Sequence, residues 1–527
     1  MAKAPIQVVW FKRDLRIHDH APLTNAAAAG PVLPIFVIEP EQWQSPDSAL
    51  RHWQFAADSL IDLSSALETL GLPLCIWQGD IVDLLTALKA RYGEFALHSH
   101  EETGNAWSFA RDLRVKAWCQ QHGTPWHEAR QHGVVRGLKS RVVADRNAWE
   151  KQWEALMTAP TATAPQNAQA AEGWQAFNHI DVEQLHGLTL GFDTTPCPER
   201  QPGGRSEGRA VWRSFVSHRG RRYRGSLSKP LLAWEFGSRL SPHLAWGTLS
   251  IREVVQSLRR QRKKHAEDTA WSRSLRAFTS RLYWHCHFIQ KLESEPSIEH
   301  QTLHPALRGL RERVPEHPNL IAWKRGQTGV PLVDACMRSL IATGWINFRM
   351  RAMLISHATF GLGLHWYEPA LHLARLFTDF EPGIHYPQVQ MQAGATGTNV
   401  LRVYNPIKQA EDNDPDGEFV ARWVPELTAL PLEWRAKPWA LPESLRQRFG
   451  FQPGEHYPLP NDFEAEARQW KKMLYELRRT PDAREASKVI VDKLASQRRP
   501  PARRAKKGKP ANHQQLSLFD EGGLEDG

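Results

Sequence analysis

The segment at residues 237–241 carries groups that could bind an anion. It consists of Gly237, Ser238, Arg239, Leu240 and Ser241, and the pattern places it at the start of a helix. The first backbone N–H groups of a helix lack partners within it, so they and the two serine hydroxyls could contact the oxygens of a diphosphate. A Ser-Arg-Leu-Ser string is also an ordinary helix cap. The residues alone leave both uses open.

Histidines, tryptophans and cysteines are the other residues whose side chains could take part in chemistry. His285, His287 and His385 could donate protons, although a lone histidine is more often structural. The 22 tryptophans suit cores, stacking surfaces or electron relays. The five cysteines form no CxxC pair, which argues against a zinc ribbon or a locally built iron–sulfur site. We expect five reduced thiols in cores, at Cys75, Cys119, Cys197, Cys286 and Cys336.

The elements that position these residues fall into two groups. Four apolar runs, IQVVWF, PVLPIFVI, LPLCIWQG and EFALHSH, are typical of buried strands. Helical spacing between them ends at Gly71 in one case and begins after Asp80, an N-cap, in another. This alternation predicts a parallel sheet covered by helices. Beyond residue 200 the strand pattern stops and helical spacing continues to about 480, which predicts an all-α second domain.

The connections and the charge complete the outline. Proline and small residues at 156–171 predict an exposed connector. We therefore divide the chain into an α/β domain at 5–135, a connector at 136–205, a helical domain at 206–480 and, at 481–527, a terminal helix with a disordered basic tail. The net charge of +10 favours a polyanionic partner without requiring one. No apolar run is long enough for a membrane span and no secretory signal begins the chain, so we expect a cytoplasmic monomer.

Four strings in the chain resemble blocks of one known family. They are VVWFKRDLRIHDHAPL, RGSLSKPLLAWEFGSRLSPHLAWGTLS, GVPLVDACMRSLIATGWINFRMR and NVLRVYNPIKQAEDNDPDGEFVARWVPEL. Their order and spacing resemble those of the cryptochrome/photolyase family over residues 7 to about 430. The resemblance implies a blue-light flavoprotein with a Rossmann-like antenna domain and a helical domain that binds FAD. A second, antenna chromophore is left open.

The resemblance also implies roles for individual residues. Tyr223 and 237–241 would hold the FAD pyrophosphate, and Arg351 would pair with Asp379 beside the isoalloxazine ring. Arg349 and Glu381 match neighbouring flavin contacts. Trp284 matches an aromatic residue that stacks on the substrate, Gln409 a DNA contact, and Trp366 the middle position of a three-tryptophan electron relay.

The chain departs from the family pattern at the chemistry. His385 stands where the family has an asparagine near flavin N5, and Val389 stands where it has the tryptophan nearest the flavin. Arg281 replaces a glutamate that contacts a cyclobutane dimer, and Phe348 replaces an asparagine of that pocket. The usual pair of folate contacts falls on Trp107 and Ser108. Only two cysteines lie in the FAD-binding part, so the iron–sulfur branch of the family is excluded.

Three functions follow from the resemblance. The first is a deoxyribodipyrimidine photo-lyase, in which reduced FAD donates an electron to a pyrimidine dimer flipped out of damaged DNA. The alternatives are a cryptochrome-like photoreceptor and a DNA-binding flavoprotein without photoactivity. The C-terminal pentapeptide, Gln515, Leu516, Ser517, Leu518 and Phe519, resembles the motif by which bacterial repair proteins bind the replicative sliding clamp. A basic tether that can follow phosphates precedes it, which favours the repair function.

Overall fold

A five-stranded parallel sheet forms the first part of the chain. In this computed structural model, which describes residues 4–137 and 146–494, the strand order is β3-β2-β1-β4-β5. The strands are β1 Ile6–Phe11, β2 Val32–Ile38, β3 Cys75–Gln78, β4 Phe95–His100 and β5 Trp126–Ala129. The first four confirm the predicted apolar runs. Strand β5 was not predicted, because only two of its four residues, WHEA, are apolar and none of the four is buried.

Helices cover both faces of this sheet, as the alternation predicts. They are α1 Ala21–Ala29, α2 Pro40–Trp43, α3 Leu50–Glu68, α4 Ile81–Tyr92 and α5 Ala106–Gln121. The predicted cap of α4 is confirmed, since the Asp80 carboxylate accepts a hydrogen bond from the Val82 N–H at 2.7 Å. Alternate residues of the strands feed two separate apolar cores, one on each face.

The connector differs from the exposed segment that the sequence predicts. Its first part contains helix α6 (Arg146–Thr158). Trp149, Trp153 and Met157 of this helix are buried in the helical domain. The later part pairs with the beginning of β2, where Val32 donates to Gln169 O at 2.7 Å and accepts from Ala171 N at 2.9 Å. Small side chains lack apolar periodicity, but their backbone can still pair with a strand.

The remainder of the described chain is helical, which confirms the predicted all-α domain. Its α-helices are α7 Arg205–Ser217, α8 Tyr223–Ser226, α9 Pro230–Phe236, α10 Ser241–Ala245, α11 Ile251–Lys264, α12 Thr269–Ser294, α13 Pro318–Arg325, α14 Pro331–Thr343, α15 Phe348–Ser356, α16 Tyr367–Leu376, α17 Pro382–Gln392, α18 Pro406–Asn413, α19 Glu418–Trp423, α20 Leu432–Arg435, α21 Glu443–Phe449, α22 Phe463–Leu477 and α23 Pro481–Leu494. A π-helical turn at His357–Gly361 extends α15. Short 3₁₀ turns occupy Trp174–Phe177, Val182–Gly187, Arg219–Arg222, Pro296–Glu299, Pro305–Leu307, Pro425–Leu427 and Pro438–Ala440.

Two contacts fix the frame of the site. Helices α12 and α17 pack closely at Gly383, where a Cβ atom would lie 2.7 Å from the Ile289 Cα. The segment after β1 joins the two domains: the Leu15 N–H donates to Trp246 O at 3.2 Å and Arg16 donates to Gly247 O at 2.7 Å. None of the described helices is both long and apolar enough to cross a membrane.

Candidate functional site

A cavity of about 280 Å³ opens in the helical domain. Helices α8, α9, α12, α15, α16 and α17 contribute to its wall, together with the residues that precede α10. Its lining includes eight of the residues that the sequence analysis assigned to FAD or to the chemistry near it: Tyr223, Gly237, Ser238, Arg239, Ser241, Arg351, Asp379 and Glu381. His385, Val389, Arg281 and Phe348 line the same cavity.

The segment 237–241 forms a tight loop rather than the opening turns of a long helix. Helix α10 begins only at Ser241 and has five residues. A Cβ on Gly237 would lie 2.4 Å from the Ala233 carbonyl oxygen, so only glycine fits there. Arg239 has a positive φ of 58°, an uncommon conformation for a residue with a side chain. Leu240 turns away from the cavity into the core.

Arg239 is clamped between two tryptophan rings. Its guanidinium carbon lies 3.6 Å from the Trp234 ring centroid and 4.6 Å from that of Trp345. Burial lowers the pKa of Arg239 to about 9, so the group still carries its charge at neutral pH. Trp345 in turn donates to the Ser241 hydroxyl at 3.2 Å. The loop therefore holds one positive charge in a fixed position beside the cavity.

Arg351 and Asp379 form the ion pair that the resemblance implies. The guanidinium donates two parallel hydrogen bonds to the carboxylate, at 3.0 and 2.8 Å. A third bond, from Arg351 Nε to Ile346 O at 2.8 Å, fixes the arginine. Bidentate geometry holds both planes in a defined orientation. The pair presents a cation and a carboxylate edge to the cavity at fixed positions.

Tyr223 and Glu381 stand at two other parts of the wall. Tyr223 is buried and hydrogen-bonds Arg281, the residue that stands where the family has a substrate-binding glutamate. Glu381 caps α17 by accepting from the Gly383 N–H at 3.3 Å. Burial raises the pKa of Glu381 above its ordinary value. Both side chains are therefore held by this chain's own contacts and remain directed to the cavity.

Besides Leu240, four other predicted site residues do not line this cavity. Arg349 stacks against Tyr404 at 5.7 Å, and Trp366 donates to the Thr302 hydroxyl at 2.9 Å. Trp284 packs edge-on against His287 at 5.0 Å, and the Gln409 side-chain oxygen accepts from Asn413 at 3.3 Å. Their predicted roles thus receive no support from this cavity's geometry. Arg349, Trp284 and Gln409 lie on α15, α12 and α18, and Trp366 directly precedes α16. The direction of each side chain depends on packing.

His385 is held as a neutral imidazole. Its Nε2 donates to the carbonyl oxygen of Ala370 at 2.9 Å, because that oxygen can only accept. Burial lowers the pKa of His385 to about 4, and likewise the pKa of His285. The proton of His385 is therefore directed to the backbone, and its Nδ1 is an acceptor. This state opposes the expectation that these histidines donate protons at neutral pH.

Buried polar atoms without hydrogen-bond partners indicate which kind of ligand the cavity could bind. Gln388 Oε1, Gln392 Nε2, Asn347 Oδ1 and Arg239 Nε are buried without a hydrogen-bond partner among the described residues. Buried polar groups without partners are costly, and a polar heteroaromatic ring with a phosphate-bearing chain would satisfy them. The residues present thus fit FAD. The sequence analysis missed Gln388, Gln392 and Asn347, although 385, 388, 389 and 392 share one face of a helix.

One other cluster has the composition of a metal site. Asp14, His20 and His100 are the single group of three or more potential ligands within the described ranges. His20 Nδ1 accepts from the Leu23 N–H, so its Nε2 carries the proton and donates to Asp14 at 2.9 Å. His100 also contacts this carboxylate, at 2.7 Å. This arrangement is a hydrogen-bonded triad. The five cysteines are buried and free, and none of them belongs to a group of three or more potential metal ligands in the described part of the chain.

Acid should destabilise the folded chain through its buried histidines. The pKa of His385 and His285 is about 4 in the fold and about 6.5 in an unfolded chain. The unfolded state then binds more protons, so this contribution is complete above pH 6.5 and is lost as the pH falls towards 4. We expect the urea midpoint to fall between pH 7.5 and pH 5. A smaller fall of the urea midpoint in His385→Asn would assign part of the effect to His385. Equal midpoints at pH 7.5 and pH 5 would contradict the prediction.

Comparison with known proteins agrees with this geometry. The family model for DNA photolyase matches residues 7–140, and the model for the FAD-binding domain of DNA photolyase matches residues 278–476. A protein named cryptochrome DASH from Gloeobacter violaceus is 29% identical over 480 residues, which cover 86% of this chain and 92% of that protein. The two family models overlap the α/β part and the helical part of the chain, respectively.

Solved structures share the fold. A bacterial class III photolyase from Agrobacterium tumefaciens superposes with a TM-score of 0.76 at 25% identity, covering 91% of this chain and 99% of that one. An archaeal photolyase from Sulfolobus tokodaii, solved with two FAD molecules, gives 0.69 at 23% identity and covers 89% and 99%. With both family models matched in order and the cavity suited to FAD, the chain belongs to the cryptochrome/DNA photolyase family.

Proposed function

We propose that this chain repairs pyrimidine dimers in DNA when its bound flavin absorbs blue light. The observation that carries the proposal is a cationic groove beside the flavin cavity. Reduced FAD, when bound and excited, supplies one electron to the lesion and receives it back after the bonds between the two bases break. The protein must therefore hold the flavin, bring a flipped lesion against it and exclude water.

The cavity residues account for the first task. The loop at 237–241 would direct its N–H groups and hydroxyls to the diphosphate, with the Arg239 charge close by. The fixed fork of Arg351 and the Asp379 carboxylate would orient the ring system and balance a negative charge on it. Gln388 and Gln392 would hydrogen-bond the polar edge of a ring bound between α15 and α17.

The groove is lined by four arginines. A volume of about 460 Å³ lies between the arginine turn (Arg221, Arg222 and Arg224) and Arg273 of α12. No acidic residue is among the described residues that line it. Like charges repel, so an anionic partner would further stabilise a groove with this lining. Nucleic-acid backbones present phosphates at a regular spacing and suit it.

The arginine turn is fastened to α12. The Ser274 hydroxyl accepts from Arg224 N at 3.2 Å and donates to Arg221 O at 2.9 Å. Arg222 stacks on Phe236 at 4.1 Å, and Arg221 pairs with Asp268 at 3.1 Å. The turn therefore presents its guanidinium groups from a defined position.

The same turn also contributes to the flavin cavity. Tyr223, which stands between two of the arginines, points inward and lines the cavity. Ser226 lines both the cavity and the groove. A backbone phosphate bound in the groove would thus lie one turn of chain from the flavin site. This juxtaposition favours a protein that acts on a nucleotide of bound DNA.

A photoreceptor without repair activity is the second candidate. Val389 and Phe348 make the cavity wall more apolar than a pocket that hydrogen-bonds a thymine dimer. Relatives of both kinds exist, since the Gloeobacter protein is named a cryptochrome and the Agrobacterium structure a photolyase. The arginine groove decides our preference, because light sensing alone does not call for it.

A repair assay separates the two candidates. Protein reduced with dithionite is illuminated with oligonucleotides that contain one cyclobutane dimer or one (6-4) photoproduct, and the products are resolved by HPLC. We expect light-dependent restoration of the undamaged bases for one of the two lesions. Flavin-loaded protein that restores neither lesion would contradict the proposal and support the photoreceptor.

The sliding clamp is a further partner that we propose from the sequence. The pentapeptide at 515–519 lies outside the described residues, so the proposal rests on its residues alone. Two leucines and a phenylalanine on a tether suit a preformed apolar groove. We expect Leu518→Ala/Phe519→Ala to abolish pull-down by the bacterial clamp while leaving repair of free oligonucleotides unchanged. Gln514→Ala is the control, and undiminished clamp capture by the double variant would refute the role.

A further inference from the structure

The antenna domain has a natural ligand position, and it is filled by the protein itself. In open parallel sheets, ligands bind outside the carboxyl ends of the strands where the strand order reverses, here between β1 and β4. The Sulfolobus tokodaii photolyase was solved with two FAD molecules and is described as implying a light-harvesting cofactor. Whether this chain has room for a second chromophore is therefore a question its side chains can answer.

A buried ionic network occupies this position. Arg111 donates to Glu39 at 3.0 Å and to Asp112 at 2.9 Å, and it also bonds Glu102. Lys12, from the end of β1, donates to Asp112 at 3.3 Å. Each of these side chains is less than a tenth exposed. Displacing Arg111 would leave three carboxylates without their shared cation, so opening the network would cost considerable free energy.

Aromatic contacts hold the two cations in place. The Trp10 ring packs against both of them, with Lys12 at 4.6 Å and Arg111 at 4.7 Å from its centroid. The space that remains among Lys12, Asp14, His100, Glu102 and neighbouring residues amounts to about 10 Å³. This is room for a single water molecule at most. A flavin or pterin ring does not fit.

Further contacts lie at the start of α5, where the α/β domain meets the helical domain. At the start of α5, the Ala106 N–H donates to Glu299 of the helical domain at 2.7 Å. Trp107 donates to Glu41 at 3.3 Å, and the Arg111 guanidinium stacks on the same indole at 5.3 Å. Trp107 and Ser108 are the residues that stand where the family has its folate contacts. Here Trp107 is half-buried against charged neighbours, and Ser108 is buried.

We propose that this chain carries one chromophore, the FAD of the helical domain, and that its antenna domain holds no light-harvesting pigment at either position. The proposal rests on the proposed function, since it states how a flavoprotein of this kind collects its light. Absorption by the flavin alone then sets the wavelengths that drive the chain. The α/β domain serves as a structural partner of the flavin domain.

Chromophore counting tests this proposal on the full chain. Purified protein is incubated separately with excess FAD, FMN and methenyltetrahydrofolate, passed through a desalting column and denatured, and the released pigment is quantified. We expect one FAD per chain, no retained FMN or folate, and a fluorescence excitation spectrum that follows flavin absorption. Two pigments per chain, or an excitation band from a pigment other than FAD, would overturn it.

A variant of the cavity locates the bound flavin. In Gly237→Val the new side chain would collide with the Ala233 carbonyl and displace the loop, so we expect no retained FAD. Flavin retained by this variant would reveal a second site and refute the proposal. The repair assay stays independent of this count: one FAD without repair would refute only the proposed function, and repair with two pigments would refute only this inference.

Discussion

Asp379→Ala is expected to abolish stable FAD binding while the helical fold persists. The Asp379 carboxylate is only 3% exposed and accepts two hydrogen bonds from Arg351. Removing one partner of a buried ion pair costs about 3–5 kcal/mol, because the other charge is left uncompensated. That free energy corresponds to an affinity loss of about two to four orders of magnitude if it falls on the flavin-bound state. Flavin absorbance per chain after gel filtration measures it.

Two further variants separate charge from shape. Asp379→Asn keeps the size of the side chain but loses its charge, and we expect intermediate retention of FAD. Arg351→Lys keeps the charge but loses the fork, so the ring would be bound with less defined orientation. Asp482→Ala, at an exposed position in the first turn of α23, is the matched control. Unchanged FAD content in Asp379→Ala would show that this pair is only a structural bridge between helices.

The architecture was predictable because burial leaves a strong pattern in sequence. The strands β1 to β4 are short segments rich in apolar residues and largely buried, as expected for a parallel sheet covered on both faces. The short strand β5 has no such run and was missed. The connector was misjudged because its order comes from backbone pairing with Val32, and backbone pairing is independent of side-chain type.

The site was predictable in part. The pairing of Arg351 with Asp379 and the loop at 237–241 were identified through the resemblance, and the structure brings them together in one cavity. The proposed roles of Trp284 and Trp366 depend on side-chain direction, which tertiary packing sets. Residues 515–519 lie outside the described ranges, so the clamp motif stays a prediction. The net charge shows that the chain is rich in basic residues, but it does not show that four of the arginines line one groove.

The arginine groove supports a second prediction: the double variant Arg224→Gln/Arg273→Gln should bind DNA more weakly and with a smaller dependence on salt. If each guanidinium neutralises one phosphate, the slope of log K against log salt should fall by about 0.9 per contact, or about 1.8 in total. At about 0.1 M salt this equals a loss of roughly 60-fold in DNA affinity. Fluorescence anisotropy with a labelled duplex, measured at several salt concentrations, gives both quantities.

A charge-matched control distinguishes the groove from the general positive field of the chain. Lys471 and Lys472 are exposed on α22 and do not line the groove. Lys471→Gln/Lys472→Gln removes the same charge, and we expect a change in affinity of no more than about threefold, since exposed charges that do not contact the duplex are largely screened by salt. Equal effects from the two double variants would contradict a specific role for the groove.

The groove variant, Arg224→Gln/Arg273→Gln, should lose DNA affinity without the loss of flavin that is expected of Asp379→Ala. Phosphate contacts carry no information about base damage, so Arg224→Gln/Arg273→Gln should weaken binding to damaged and undamaged duplexes by the same factor. Repair under saturating DNA should then be unchanged, because Tyr223 and the rest of the cavity wall are intact. A selective loss for damaged DNA would instead place these arginines in lesion recognition. The ratio of the two affinities therefore decides whether the arginine turn positions the duplex or recognises the lesion.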